Sequence, residues 1–188
     1  MKLANNFRYN QSVFIHIPKA AGNSFSIGLY GIDNGHYTAF DYYKDNKKEW
    51  EKLFSFTVVR NPLERFLSAY NFLKNNGVNK FDKQFSIKQN LKNTNVNIFI
   101  DKYFNNRNRF SKTYLHFIPQ INFILHQKYQ HSLISRVYKF ESLEDSYKDI
   151  VRDIKLVNPR FEPLHDSLPK INETKTKFAE KTSLDEIN

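Results

Sequence analysis

The stretch SVFIHIPKAAGNSFSIGLYG, Ser12–Gly31, passes from an apolar segment through a short loop into a second, milder apolar segment. Val13–Ile17 is rich in β-branched residues and stops at a proline, which favours a strand buried on both faces. Ser24–Tyr30 favours a short helix that begins at Asn23 or Ser24, both good capping residues, and ends at the next glycine. The stretch therefore predicts a strand, a loop and a helix in succession.

A second stretch, FSFTVVRNPLERFLSAYNFL, repeats this order. Phe54–Val59 predicts a strand, and Pro62 stands where the first turn of a helix tolerates proline. The helix predicted after it carries one apolar stripe at helical spacing. The stripe consists of Leu63, Phe66, Leu67, Tyr70 and Leu73.

The rest of the chain adds a strand, predicted over Ser135–Phe140, and a helix, predicted over Glu141–Ile154. The apolar side of this helix consists of Leu143, Tyr147, Ile150, Val151 and Ile154. These elements predict an α/β fold, a three-layer, P-loop-like domain with a mainly parallel central sheet flanked by helices. Ligands of such sheets bind beyond the carboxyl ends of the strands, where the loops containing Lys19 and Arg60 both fall.

Length and composition favour a single domain over residues 1–188. With 40% hydrophobic residues, a chain of 188 residues forms one adequate core more readily than two small ones. Residues 74–112 are rich in Asn and Lys and are predicted to be an exposed, substrate-facing insertion, with weak helical character over Leu91–Phe104. Residues 173–188 are predicted to be a tail, either naturally short or truncated.

The formal net charge is +10, which attracts nucleic acid, an anionic membrane face, or phosphorylated and sulfated small molecules. The absence of cysteine excludes a thiolate nucleophile, a disulfide framework and a Cys-based zinc site. The N-terminus lacks the apolar core of a signal peptide, and no stretch approaches the ~20 apolar residues of a membrane span. We therefore expect a cytoplasmic protein without a membrane span.

The loop PKAAGNS predicts an anion site, because a turn that feeds a helix N-terminus presents unpaired backbone N–H groups and a positive dipole end. Gly22 permits close approach of the backbone, and Lys19 supplies a mobile positive charge. The loop is not a Walker A motif, since that motif places its lysine after the second glycine, whereas Lys19 precedes the only glycine of the loop. An ordinary NTP-hydrolysing P-loop is thus disfavoured. A capped helix after a strand, with a solvated lysine in the loop between them, is the alternative interpretation.

The second loop offers Arg60 at the end of a strand and Ser68 on the next helix, so a guanidinium and a hydroxyl can converge on one phosphate. The alternative is that Arg60 pairs with a neighbouring carboxylate such as Glu64. Glu64 and Arg65 are predicted to lie on the solvated face of the helix, from which Arg65 can still reach an anionic substrate.

Together, FIHIPKAAGNS and FTVVRNPLERFLSAY resemble the two cofactor motifs of the sulfotransferase superfamily, in particular its carbohydrate and heparan sulfate 2-O-sulfotransferase-like branch and its bacterial members. The resemblance implies 3′-phosphoadenosine 5′-phosphosulfate (PAPS) as donor, adenosine 3′,5′-bisphosphate as product, and no metal. It implies that Arg60 and Ser68 bind the 3′-phosphate. The residues implied for the 5′-phosphosulfate are Lys19, Ala20, Ala21, Gly22, Asn23 and Ser24. Asn23 departs from the family, which more often has threonine there, although its amide can still donate a hydrogen bond.

Weaker matches extend the resemblance over most of residues 13–172. NGHYTAFDYY resembles a Gly-His segment that supplies the catalytic base in heparan sulfate 2-O-sulfotransferase-like enzymes, which implies His36 as base. HFIPQINFIL resembles a His/Pro/Gln segment of bacterial members, and LPKIN resembles a late loop near the cofactor. His116 is the alternative residue for the base or for a substrate contact, whereas His16, in a predicted strand, is expected to be packed.

In the mechanism implied, a sulfuryl group moves in line from the donor phosphate to an acceptor hydroxyl, here expected on a carbohydrate. His36 takes the acceptor proton, and Lys19 neutralises the charge that grows on the bridging oxygen. Two alternatives from other classes stay open: a nucleotide or nucleoside kinase-like P-loop enzyme, and a non-enzymatic polyanion-binding protein. The dispersed basic residues and the absence of a known nucleic-acid motif predict no nucleic-acid partner.

Overall fold

The computed structural model describes residues 3–105 and 114–171. Its centre is a three-stranded sheet in the order β1-β2-β3, in which both neighbouring pairs are parallel. Phe14 of the first strand pairs with Phe56 of the second, which pairs with Arg136 of the third. The predicted parallel sheet is thus confirmed. The strands are β1 (Ser12–Ile15), β2 (Phe54–Val59) and β3 (Arg136–Lys139).

Helices flank this sheet, and none of those within residues 3–105 and 114–171 has the length and apolar character needed to cross a membrane. The α-helices are α1 (Asn5–Asn10), α2 (Gly22–Tyr30), α3 (Ala39–Tyr43), α4 (Lys47–Trp50), α5 (Pro62–Lys74), α6 (Lys80–Lys88), α7 (Val96–Asn105) and α8 (Leu143–Val157). Short 3-10 turns cover Leu91–Asn93, Leu115–Phe117, Gln120–Phe123 and Phe140–Ser142.

Both faces of the sheet are buried, because alternate residues of a strand point to opposite sides. Val13 and Ile15 belong to a cluster that includes Trp50 of α4 and residues of α1 and α3. Phe14 belongs to a second cluster that includes Phe25 of α2 and residues of β2 and α8. Helices therefore cover each face, which confirms the three-layer α/β architecture.

A third apolar cluster lies along α5 and draws in part of the region predicted to be an exposed insertion. Leu91 and Phe99 are buried against Tyr70 and Leu73. Leu63, the first residue of the predicted apolar stripe, is 50% exposed in the first turn of α5. That the 74–112 region faces a substrate stays a prediction. Residues 106–112 of this region and the predicted tail 173–188 lie outside the described residues.

Several element boundaries differ from the prediction. Strand β1 ends at Ile15, although the chain stays buried through Pro18. Helix α2 begins at Gly22, earlier than predicted, because Ala21 adopts a left-handed conformation and serves as its N-cap. Helix α8 begins two residues later than predicted, because a 3-10 turn precedes it. It extends to Val157, three residues beyond the predicted end.

Candidate active site

The loop between β1 and α2 has an unusual backbone. Lys19 and Ala21 have positive φ angles of 67° and 58°, a region that non-glycine residues seldom adopt. Ala21 provides no side-chain cap, and the first turn of α2 contains no acidic residue. The positive dipole end of α2 is therefore not neutralised by its own first turn, as an anion site requires.

Gly22 allows a close approach between the start of α2 and the ring of His16. A Cβ atom at Gly22 would lie 1.7 Å from His16 Cδ2, far inside van der Waals contact. The glycine was expected to let the backbone approach an anion closely. In the structure, the His16 ring lies in the space where a Gly22 side chain would be. Any backbone contact with an anion stays a prediction.

Lys19 extends across the face of an aromatic ring, with Nζ 4.0 Å from the ring centroid of Phe72. The pKa of Lys19 is lowered to about 8, chiefly by burial and also by the nearby Arg60 charge, while Asp82 opposes the shift. The ammonium group is therefore a partly desolvated cation, which gains more from an added anion than an exposed lysine would.

Arg60 connects the two predicted loops. Its Nη1 lies 3.5 Å from the Lys19 carbonyl oxygen, and its guanidinium lies over the ring of Phe140 at 4.2 Å. Its Nη2 lies 3.1 Å from Glu64 Oε2, so the alternative pairing considered from the sequence is present. Because the Glu64 side chain is 54% exposed, solvent screens this pair and an incoming phosphate can compete with it.

Gln120 holds the backbone of Arg60 at the end of β2. Its Oε1 accepts a hydrogen bond from the Arg60 N–H at 2.9 Å, and its Nε2 donates to the Arg60 carbonyl at 2.8 Å. This contact gives the glutamine of HFIPQ a structural role. The sequence marked the segment through resemblance but not this amide clamp.

Ser68 lies half-buried on α5, and the side chain of Arg60 makes its hydrogen bonds to Lys19 and Glu64 rather than to this serine. Ser24 is buried, and its Oγ lies 3.3 Å from the backbone nitrogen of Ile171. The segment LPKIN is therefore brought beside the first loop as far as Ile171, while Asn172 lies outside the described residues.

Asn23 is half-buried and Ala20 is fully buried, so the two loop residues have different environments. Ala20 packs in the cluster beneath β1, which indicates that its side chain anchors the loop. Only its backbone is suited to an anion. Asn23 lies in the first turn of α2, where its predicted amide contact remains a prediction.

His16 and His36 pack against one another at the mouth of the first loop, with ring centroids 4.1 Å apart. Burial lowers the pKa of His16 to about 3, with a further contribution from His36, so the ring is neutral near pH 7 despite Asp33 at 3.5 Å. Its predicted packed position is confirmed. Burial also lowers the pKa of His36.

The tautomer of His36 follows from its hydrogen bond. Nδ1 lies 3.3 Å from the carbonyl oxygen of His16, and a carbonyl can only accept, so Nδ1 carries the proton. The Nε2 lone pair of neutral His36 is then available to accept a proton, which is the state that a general base requires.

His116 forms a buried pair with Asp82, a residue that the sequence interpretation missed. His116 Nε2 donates to Asp82 Oδ1 at 3.3 Å, and the Tyr114 hydroxyl donates to the same oxygen at 2.6 Å. Burial lowers the pKa of His116 to about 4, Lys19 adds to the shift, and Asp82 opposes it. His116 Nδ1 is buried, and no hydrogen bond to it is present within residues 3–105 and 114–171. No local signal in NKFDKQ marks Asp82, because its burial comes from packing of α6.

The prediction that Arg65 lies on a solvated face is wrong. Its side chain is buried because that side of α5 packs over the first loop. Nε donates to the carbonyl oxygen of Pro18 at 2.8 Å, and Nη1 donates to that of Ile118 at 3.0 Å. Burial lowers the pKa of Arg65 to about 10, which leaves the group charged at neutral pH.

A cleft of about 470 Å³ lies along α8. It is lined by Tyr147, Lys148, Val151, Arg152, Lys155, Leu156 and Asp166. None of the sequence-predicted site residues borders this cleft. The candidate site is therefore defined by converging charged groups rather than by this cleft.

A family model described as Sulfotransferase family matches residues 7–186 of the chain. No curated protein and no solved structure matches the chain. The matched range contains both loops and the late segment that reaches Ser24. It also contains the His16–His36 pair and the His116–Asp82 pair.

Proposed function

The chain belongs to the sulfotransferase family, and from this membership we propose that it transfers a sulfuryl group from PAPS to the hydroxyl of a carbohydrate acceptor. Membership of the family supports sulfuryl transfer in general. The donor, the acceptor class and the roles of individual residues are the content of this proposal. The proposal also places the chain in the heparan sulfate 2-O-sulfotransferase-like branch of the family.

The observation that carries the proposal is the convergence of cations at the carboxyl edge of β1 and β2. Lys19 and Arg60 follow these neighbouring strands, and Arg60 Nη1 reaches the Lys19 carbonyl oxygen at 3.5 Å. The unneutralised N-terminus of α2 lies in the same loop. A donor with phosphates at its 3′ and 5′ positions presents separate anions to such a pair of loops.

In this proposal the first loop binds the 5′-phosphosulfate, and Arg60 and Ser68 bind the 3′-phosphate. The Phe140 ring beneath the guanidinium keeps Arg60 at the sheet edge. Glu64 leaves Arg60 when the phosphate arrives, since a doubly charged phosphate attracts the guanidinium more strongly than one exposed carboxylate.

The acceptor hydroxyl loses its proton to His36 Nε2 while its oxygen bonds to the sulfur, and the bond from sulfur to the bridging oxygen breaks. Lys19 stabilises the negative charge that collects on that oxygen, and adenosine 3′,5′-bisphosphate leaves. His36 is preferred over His116 because His36 is only partly buried, whereas His116 is only 9% exposed and engaged with Asp82.

A thermal-shift titration tests the donor class. Adenosine 3′,5′-bisphosphate is expected to raise the melting temperature in proportion to its concentration over its Kd, because it binds only the folded chain. ATP with magnesium is expected to have a far smaller effect. Equal shifts would instead favour the kinase-like alternative, and stabilisation by heparin or by oligonucleotides alone would favour the polyanion-binding alternative.

Arg60→Ala tests the 3′-phosphate assignment. Loss of a charge-assisted contact is expected to weaken adenosine 3′,5′-bisphosphate binding about 10- to 100-fold. Arg160→Ala is the matched control, since Arg160 is an exposed arginine beyond α8 and its removal changes the net charge equally. Calorimetric titration of both variants measures the difference. Unchanged affinity in Arg60→Ala would reject the assignment.

A further inference from the structure

The guanidinium of Arg65 is buried with one nitrogen left unpaired. The side chain is 6% exposed, and its two hydrogen bonds go to the neutral carbonyl groups of Pro18 and Ile118. Nη2 is buried, and none of the residues that the structure describes forms a hydrogen bond with it. Within residues 3–105 and 114–171, no carboxylate forms an ion pair with Arg65.

A buried guanidinium without a counter-charge is unfavourable, because neither water nor a carboxylate compensates its desolvation. The lowered pKa of Arg65, about 10, reflects this burial, yet the group keeps its proton at neutral pH. An oxyanion that contacts Nη2 would supply both the missing acceptor and the missing negative charge. Arg65 is therefore suited to an anionic ligand.

The position of Arg65 indicates which anion this is. Pro18 directly precedes Lys19, so the hydrogen bond from Nε ties the guanidinium to the loop proposed to bind the 5′-phosphosulfate. The positive charges of Arg65 and Lys19 both lower the pKa of His36, which places both cations near the same imidazole. The guanidinium thus lies beside the first loop and the imidazole proposed as the base, which is the reacting side of the proposed site.

We propose that Arg65 Nη2 binds the sulfonate oxygens of the donor and holds them between Lys19 and His36. This inference rests on the proposed function and adds a residue that was expected on the solvated face of α5. Arg65 forms and breaks no covalent bond in this role. Because Nη2 is closed to water, the sulfonate reaches it only after a side chain that covers it changes rotamer, as side chains often do on binding.

The test compares two nucleotides that differ by the sulfonate, PAPS and adenosine 3′,5′-bisphosphate, by calorimetric titration without acceptor. Arg65→Gln is expected to weaken PAPS binding about 10- to 100-fold, since a charge-assisted contact is lost, and to change bisphosphate binding less than about twofold. Arg60→Ala is the matched comparison, because it is expected to weaken both nucleotides alike.

Equal losses for both nucleotides in Arg65→Gln, or no loss for either, would overturn the inference and leave Arg65 as a positioning residue for Pro18 and Ile118. Circular dichroism and melting temperature check the fold of each variant. If Arg65→Gln does not fold, Arg65→Lys, which keeps the charge but loses the fork geometry, provides the same comparison. Failure of the wild-type chain to bind either nucleotide would instead refute the proposed function.

Discussion

Replacing Gly22 with alanine would insert a methyl group into the space that the His16 ring occupies. The new Cβ would lie 1.7 Å from Cδ2 and 2.1 Å from Nε2 of His16. The ring has little freedom to move, since it is 4% exposed, stacks on Phe14 at 6.0 Å and packs on His36 at 4.1 Å. The start of α2 must therefore shift away from β1.

We expect Gly22→Ala to lower the free energy of unfolding by about 1–3 kcal/mol, the usual cost of overpacking a closed interior. In a chain of this size, each kcal/mol corresponds to roughly 2–4 °C in melting temperature. Because the displaced segment is the predicted 5′-phosphosulfate loop, adenosine 3′,5′-bisphosphate binding is also expected to weaken. Urea unfolding measures the first effect and calorimetric titration the second.

A double-mutant cycle with His16→Ala separates this clash from other effects. The alanine at position 16 removes the ring, so the added methyl group at Gly22 finds space in the double variant. The two substitutions are then expected to be less destabilising together than the sum of the single effects, by about 1 kcal/mol or more. A loss below about 0.5 kcal/mol in Gly22→Ala, or strict additivity in the cycle, would refute the proposed steric conflict.

Two further predictions concern stability. The folded-state pKa values of His16 and His116, about 3 and about 4, lie below the ordinary histidine pKa of 6.5, so the unfolded chain binds protons that the folded chain does not. Stability is expected to be complete above about pH 6.5 and to fall as the pH decreases toward 4; melting temperatures across this range check it, and a flat profile would contradict it. Tyr138→Phe removes a 2.6 Å hydrogen bond to the buried Asp153 carboxylate and is expected to lower the free energy of unfolding by about 1.5–3 kcal/mol. Urea unfolding measures this loss, with the exposed Tyr129→Phe as a control expected to change it by less than about 0.5 kcal/mol.

The first two strands were predictable because each is a short apolar run with a proline within a few residues of its end. Phe54–Val59 was predicted with the bounds that the structure shows, and the apolar side of α8 is buried through Tyr147, Ile150 and Ile154. Parallel pairing followed from the order of elements, since a strand and a helix in alternation leave few other arrangements. Local pattern and chain order were sufficient for the architecture.

The exact environment of the site residues was less predictable. Arg65 was predicted to lie with Glu64 on the solvated face of the helix, yet Glu64 is exposed and Arg65 is buried. The difference arises from what lies beyond the helix, where the carbonyl groups of Pro18 and Ile118 accept its hydrogen bonds. Periodicity describes the faces of a helix but not the loops that cover them.

By itself, the sequence determined the α/β class, the parallel sheet and the two loops at its carboxyl edge, because periodicity, proline positions and motif wording are local properties. Only the tertiary structure decided that His116 pairs with Asp82, that Gln120 clamps the backbone of Arg60, and that one nitrogen of Arg65 is buried with no partner in the described part of the chain. These contacts join residues distant in the chain. Their formation depends on how helices and loops pack around the sheet, and that packing balances burial, charge and hydrogen bonding across the whole domain.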